Sequence, residues 1–380
     1  IKFITLYHLI FLVKIKFMMK VAIIGNSLTS VVLAKALVNK DIFVDIFCEN
    51  KKIIIDKSRS IGISKSNIDY FNENILNINN ILWPIKKIKI YSENSNNREI
   101  IKFEDYENSL FSTMKNEKIF DRLYLDLKKS KFFKFKKNTG YKYLSKSSYN
   151  LIINCDYKNE ITRKFFFKKF EKRYNSIAFT TVIDHQKLKF NNTARQVFTN
   201  IGPLAFLPIS NEKTSIVYSI RMEKFDTKLN IEKLIKKFCL DYKIKIKKIG
   251  KISKFNLSSL NLRQYYINNI LAFGDLLHKL HPLAGQGFNM SIRDIKNLLE
   301  IIDNKIELGL PLDKGVCIEF QNTTKSKNFI FSEGIDFIYE SFNSKYKFKK
   351  NFIDRSVKLI GNNKLMNKYF RKIADIGLNL

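Results

Sequence analysis

The residues best placed to do chemistry lie in one stretch, Ile270 to Asp294, which reads ILAFGDLLHKLHPLAGQGFNMSIRD. An apolar run, Ile270 to Phe273, stops at Gly274-Asp275 and so puts a carboxylate at the carboxyl end of a strand. Pro282 then marks a loop. Gly285-Gln286-Gly287 follows, ahead of a segment in which Phe288, Ile292, Ile295, Leu298 and Leu299 recur at helical spacing. Two glycines before a helix start let the backbone approach a ligand closely, and they leave N–H groups unpaired at the positive end of the helix dipole. An anion, or a ring that becomes anionic, would sit well there. An ordinary strand–loop–helix connection has the same outline.

The elements that must position such a site begin at the first strand. Lys20 to Gly25 is a run of β-branched and small residues, as in a buried parallel strand, and ends in glycine. A helical run over Val31–Val38 has Leu33, Ala36 and Leu37 on its inner face, and Phe43–Phe47 reads as the next strand. This is a βαβ opening of the dinucleotide-binding type, in which Gly-x-Gly-x-x-Gly carries a pyrophosphate. Here the three positions hold Gly25, Ser27 and Ser30. Serine permits fairly close phosphate approach, but Ser30 should loosen helix–strand packing relative to glycine. An acidic residue roughly 20 positions on holds the ribose in such sites. Glu49 is the candidate, one place after Cys48.

The run from Gly274 to Asp294 resembles the second FAD fingerprint of the flavin-dependent aromatic-ring hydroxylases, in particular their ubiquinone-biosynthesis branch. It matches in order and without a gap. Other stretches are similar to the same family. Asp56 to Ser64 looks like its Asp-x-Arg-x-x-Ala-Leu-Ser segment, with Arg59 as the arginine near the flavin; a solvated surface cation is the plainer reading. Trp83-Pro84 follows at a fitting distance, and the alternating Ile88 and Ile90 read as an edge-like strand. Asn116 matches a family asparagine, although Glu117 replaces an arginine. Asp156, Asn159 and Arg163 match the family's Asp-Gly motif, but Tyr157 stands where glycine belongs and Glu160 where serine belongs. A bulky residue there should cost backbone freedom. Ala194, Phe198, Gly202-Pro203, Ala205, Leu207-Pro208, then Ser215, Val217 and Ser219, follow the family's substrate-sheet pattern, with Tyr218 in place of tryptophan.

The resemblance implies an α/β fold: a Rossmann-like FAD-binding domain with an inserted mixed β-sheet substrate domain and a helical C-terminus. The implied boundaries are 19–165 and 262–310 for the FAD-binding domain, with 60–95 contributing to the substrate side. The substrate-binding sheet would be 166–261 and the helical C-terminal region 311–380, with 1–18 an upstream extension outside the fold. The implied activity is a monooxygenase in ubiquinone biosynthesis: NADPH or NADH reduces FAD, and O2 supplies one oxygen to the ring of a prenylated phenol. Gly25, Ser27 and Glu49 would hold the ADP half of FAD, and Gly274-Asp275 the ribityl chain. Pro282 and Ala284 would shape the loop beside the ring, and the backbone of Gly285, Gln286 and Gly287 would face its pyrimidine edge. Arg59, Asn116, Asp156 and Asn289 complete the cofactor set. No side chain stands out as a catalytic base, and His278 and His281 read as loop-structuring residues.

Two alternatives stand beside this reading. One is an FAD-dependent reductase or oxidase on the same scaffold. The other is a poorly active scaffold subunit of a quinone-biosynthesis complex, motivated by Ser27, Ser30, Tyr157 and Glu117.

At 380 residues, with 45% hydrophobic and 13% aromatic residues, the chain can bury a large core. Its formal charge of +33 raises nucleic acid or an anionic membrane as partners. The lysines are spread along the whole chain, however, so specific nucleic-acid binding is not expected. Lys128–Lys137 and Lys164–Lys172 interleave aromatics with cations, as in strands with an apolar inner face and a solvated lysine face. Lys345 to Lys372 is a basic amphipathic stretch that could lie on an anionic membrane surface, although ordinary C-terminal packing is the simpler reading. The four cysteines show no paired spacing and the four histidines are scattered. That favours a reduced, cytoplasmic protein without a metal centre, with peripheral association on the inner face of the cytoplasmic membrane as the variant. Ile1 to Phe17 lacks an initiator Met, and Met18-Met19 before the first strand reads as the start.

Overall fold

Strand β1 (Lys20–Ile24) is apolar at every position after Lys20, a composition suited to cover on both faces. The computed structural model describes residues 19–48, 58–93, 99–105, 107–137, 144, 148–225, 230–282, 285–343 and 371–378. Helix α1 (Leu28–Val38) packs on β1, and strand β2 (Phe43–Cys48) runs parallel to it with Val21 opposite Val44. The helix starts three residues earlier than its apolar run suggested. Only Leu28 and Lys35 are not buried, so α1 has no single inner face.

Next come β3 (Ser60–Ser64), α2 (Lys65–Asn74), β4 (Trp83–Ile85), β5 (Lys87–Ser92), β6 (Glu99–Glu104) and β7 (Phe111–Lys115). Helix α3 (Asn116–Leu127), β8 (Phe133–Lys137), β9 (Leu151–Asn154) and the short α4 (Glu160–Phe165) follow. The long strand β10 (Lys169–His185) leads to β11 (Thr193–Thr199), β12 (Gly202–Pro208), β13 (Lys213–Arg221), α5 (Ile231–Asp241), β14 (Ile246–Ile249) and β15 (Ser253–Leu262). The chain returns through β16 (Tyr266–Ile267), β17 (Ile270–Ala272) and β18 (His278–Lys279) to helices α6 (Gln286–Glu307) and α7 (Lys314–Asn343).

These strands form a six-stranded sheet in the order β16-β17-β9-β1-β2-β8, parallel from β17 to β8. A nine-stranded mixed sheet runs β18-β15-β10-β13-β12-β11-β5-β6, with β14 paired to β10. A small three-stranded sheet has the order β3-β7-β4. The α/β class implied by the sequence is the one observed.

One core fills the space around the six-stranded sheet with α1, α3, α6 and α7, and includes Ile23, Leu33, Phe47, Leu298 and Phe320. A second, with Phe206, Tyr218 and Phe238, lies between the nine-stranded sheet and α5. Tyr218 belongs to that core, its hydroxyl 3.1 Å from that of Thr199. A third cluster joins Phe198 of the sheet to Met290 of α6 and to Phe331 and Tyr339 of α7. Among the described residues no helix is long and apolar enough to cross a membrane.

Several local readings change. β5 is interior, with β11 on one side and β6 on the other, so Ile88 and Ile90 do not mark an edge. Lys128 caps α3, and only Phe133–Lys137 of the basic aromatic run is strand, with Phe133 buried. Lys164–Lys172 spans the α4–β10 junction; its Phe166 is buried in the core while Phe167 and Phe170 are exposed, so it is not a single strand with one apolar face.

Candidate functional site

The parallel strands deliver their carboxyl ends to one place. Gly25 follows β1 at φ +102°, a conformation that L side chains rarely adopt. A Cβ on it would lie 3.2 Å from that of Asp156, just past β9. The first glycine and the Asp-Gly motif therefore meet, and only a residue without a side chain fits between them. The would-be Cβ of Gly274, past β17, is 3.1 Å from the Thr29 methyl in the first turn of α1. Asp275 next to it is exposed. Beneath lies the Cys155 thiol, hydrogen-bonded to Ser30 and near the carboxylates of Asp275 and Asp156. Burial chiefly pushes it up to about 12, so it stays protonated and inert.

Both serines of the altered glycine motif have structural work. Ser27 is the N-cap of α1, its Oγ accepting from the Ser30 N–H at 3.2 Å and lying 2.9 Å from the Ser30 Oγ. Ser30 is fully buried within the helix packing. The expected strain at Tyr157 is absent. It is not among the residues at positive φ, and its side chain is 58% exposed. The turn is tied instead by Asn154, Asn159 and Thr162. Asn159 Nδ2 donates to Asn154 Oδ1 at 2.6 Å, and the Thr162 hydroxyl donates to the Asp156 carbonyl at 2.6 Å.

The second half of the site surrounds the start of α6. Gly285 is its N-cap, in the left-handed region at φ +63° and without a side-chain cap. The first-turn N–H groups thus carry the positive end of a 22-residue helix. Nothing lies within 4 Å of where a Cβ on Gly287 would stand. Gln286 Oε1 is buried and accepts no hydrogen bond among the described residues. Asn289 braces the turn: it accepts from Ser64 N at 2.9 Å and from Asn67 at 2.9 Å, and donates to the Gly62 carbonyl at 3.1 Å. Pro282 is half-buried, its carbonyl accepting from Gly285 N at 3.3 Å.

Arg59, exposed at the start of β3, lies with its guanidinium 5.5 Å from the Phe255 ring, and its carbonyl accepts from Asn116 N at 3.2 Å. Arg59, Asn116, Gly285 and Asn289 are therefore joined through β3. Gly25, Ser27, Asp156, Gly274 and Asp275 gather at the strand ends. Glu49 and Ala284 lie outside the described residues. Gly62, which the motif reading passed over, faces Gly285 with its backbone 3.8 Å from that residue's would-be Cβ. A glycine inside a strand is the signal for such a close approach.

The two histidines of the loop sit beneath it. His278 Nε2 is 2.5 Å from Asp294 Oδ2, both buried, and Asn328 of α7 donates to Asp294 Oδ1 at 3.0 Å. The His281 ring is stacked 3.9 Å from Tyr339 and edge-on to Tyr174 at 5.0 Å; burial depresses it to about 3.

The donor set fits a flavin dinucleotide: glycine cradles at strand ends for phosphates, an exposed carboxylate for hydroxyls, and an uncapped helix terminus with an orphan acceptor for a polar ring edge.

Comparison with known proteins agrees. A family model described as FAD binding domain matches residues 166–307. The fold is that of flavin monooxygenases. Over 95% of this chain and 100% of the other, it superposes on p-nitrophenol 4-monooxygenase from Pseudomonas putida at a TM-score of 0.75 with 10% identity. Klebsiella pneumoniae HpxO complexed with FAD and uric acid gives 0.72 at 11% identity, over 95% and 97% of the two chains. In sequence the chain is 29% identical over 155 residues to 3-demethoxyubiquinol 3-hydroxylase of Escherichia coli, 39% of each protein. It is 24% identical over 227 residues to the mitochondrial ubiquinone biosynthesis monooxygenase of Drosophila melanogaster, 50% of this chain and 48% of the relative. The chain thus spans less than half the length of these curated relatives. The fold and the matched family model point to an FAD-binding protein with the fold that flavin monooxygenases share. The relatives it resembles in sequence are named as a demethoxyubiquinol hydroxylase and a ubiquinone biosynthesis monooxygenase.

Proposed function

We propose that this protein is an FAD-dependent monooxygenase that hydroxylates the aromatic ring of a prenylated phenol or quinone precursor in ubiquinone biosynthesis, with NADPH or NADH as electron donor. The observation that carries it is the convergence of Gly25, Asp156 and Gly274-Asp275 at three parallel strand ends with the uncapped start of α6 on the same loop. Bound FAD would supply the redox and oxygen chemistry. The chain's own part is to bind, orient and exclude water. Gly25 and the N-terminus of α1 would take the pyrophosphate, and Asp275 would accept hydrogen bonds from ribityl hydroxyls. The first-turn N–H groups of α6 would favour negative charge on the ring's pyrimidine edge. His281 stays neutral at working pH, so it contributes shape rather than proton transfer.

The test is an absorption spectrum after desalting with FAD, followed by NADPH and NADH oxidation with a short-chain prenylated phenol under labelled oxygen. Flavin bands near roughly 370 and 450 nm and one labelled atom in the product are expected. A protein that takes up no flavin would favour the scaffold alternative. Flavin reduction without ring oxygenation would favour a reductase or oxidase.

A further inference from the structure

The stretch following the Asp156 turn faces solvent with cations and aromatics together. Residues 163–173 hold Arg163, Lys164, Lys168, Lys169, Lys172 and Arg173 against one acid, Glu171. Within the same run Phe167 and Phe170 are 61% and 57% exposed. The surface continues onto α7. The Phe170 ring is 6.1 Å from that of Phe329, and the Arg263 guanidinium is 5.3 Å from Phe170. Two turns along the outer face of α7, Ile330 and Phe337 are 59% and 71% exposed. Lys325 and Lys327 are exposed nearby; Glu333 and Glu340 are the acids, and Glu340 is paired with Lys172.

Single exposed apolar residues are ordinary, but a contiguous group marks a contact surface. Here the apolar side chains are interspersed with nine cations and only three acids. Rings that enter an acyl boundary, beneath lysine and arginine heads that meet phosphates, match the interface of an anionic bilayer. A second copy meeting this face symmetrically would set cation against cation. The reverse side of the same elements carries Tyr174 and Tyr339, which flank His281 in the flavin loop. We infer that the start of β10 and the outer face of α7 dock on an anionic lipid surface, which would present a membrane-held prenylated ring to the site. The inference rests on the substrate reading above.

The full chain loaded with FAD would be floated with phosphatidylcholine vesicles, with and without phosphatidylglycerol. Flotation with the anionic vesicles alone is expected. It should weaken about ten-fold in Phe167→Ser/Phe170→Ser and in Ile330→Ser/Phe337→Ser, with flavin content unchanged. A wild-type chain that stays unbound, or variants that float equally well, would overturn the docking. So would a dimer that Ile330→Ser/Phe337→Ser converts to monomer, with no lipid binding in either form. Flotation does not depend on turnover. Its loss with phenol oxidation intact counts against the docking alone, and flotation without oxidation counts against the function alone.

Discussion

Asp275 is exposed and makes no hydrogen bond among the described residues, although it follows a strand end whose neighbours are buried. A carboxylate that stabilises nothing in the protein is free for a ligand. Asp275→Ala should therefore raise the FAD dissociation constant by roughly ten-fold or more, as for a lost hydrogen bond to a charged group. The stability of the apo-protein should stay within about 0.5 kcal/mol. Flavin fluorescence titration and urea melts separate the two effects; destabilisation with unchanged affinity would make Asp275 structural. His281 behaves in the opposite way. Its native value is depressed from 6.5 to about 3 by burial. The unfolded chain therefore binds a proton that the folded one refuses, and stability is fully present above 6.5 and falls as pH drops toward 3. In His281→Phe, which keeps an aromatic ring against Tyr339, the acid slope of the urea midpoint should be shallower. An unchanged slope would assign it to other groups. The fingerprint residues were legible because Gly274 to Asp294 is one unbroken run. The Tyr157 turn was not, since the Asn154, Asn159 and Thr162 hydrogen bonds that replace a glycine turn depend on side-chain placement that spacing does not reveal.

Helix α2 shows how an element can be completed from far along the chain. Its N-cap, Ser64, makes no side-chain cap, and Asp375 supplies one, its Oδ1 accepting from Ser66 N at 2.9 Å. The carboxylate also sits at the positive end of the helix. Asp375→Ala should cost about 1–2 kcal/mol, read as a lower urea midpoint. Asp375→Asn, which keeps an acceptor, should cost less, about 0.3–1 kcal/mol. No loss in the Ala variant would show that this cap contributes nothing. Nothing in the local sequence of α2 announces the contact, because 309 residues separate the partners. Elements set by strong local pattern, such as β1 and α6, were legible. Those whose surroundings decide their role were not: β5 has the alternation of a half-buried strand, but β6 occupies the edge. The Lys164–Lys172 run has strand-like alternation only by composition; the α4–β10 junction breaks its phase, burying Phe166 and leaving Phe167 and Phe170 outside.

At the scale of the molecule, a formal charge of +33 on 380 residues makes self-repulsion a term in folding. Ion pairs offset some of it. Asp45, for example, lies 2.8 Å from Lys136 and 3.5 Å from Lys20. With 68 Lys and Arg against 35 Asp and Glu, 33 cations, nearly half, exceed the acids available to pair with them. The screening length shrinks from about 30 Å at 0.01 M salt to about 8 Å at 0.15 M, so salt should relieve repulsion between charges on different elements more than it weakens close pairs. The apo-protein is therefore expected to gain roughly 2–4 °C in melting temperature per kcal/mol relieved as sodium chloride rises over that range. FAD affinity should move the other way, because the same field that opposes folding attracts an anionic pyrophosphate, and that attraction is screened too. Thermal melts of apo-protein and flavin titrations along one salt series test both halves. A melting temperature that falls with salt would mean that the ion pairs, and not the excess charge, dominate the electrostatics of the fold.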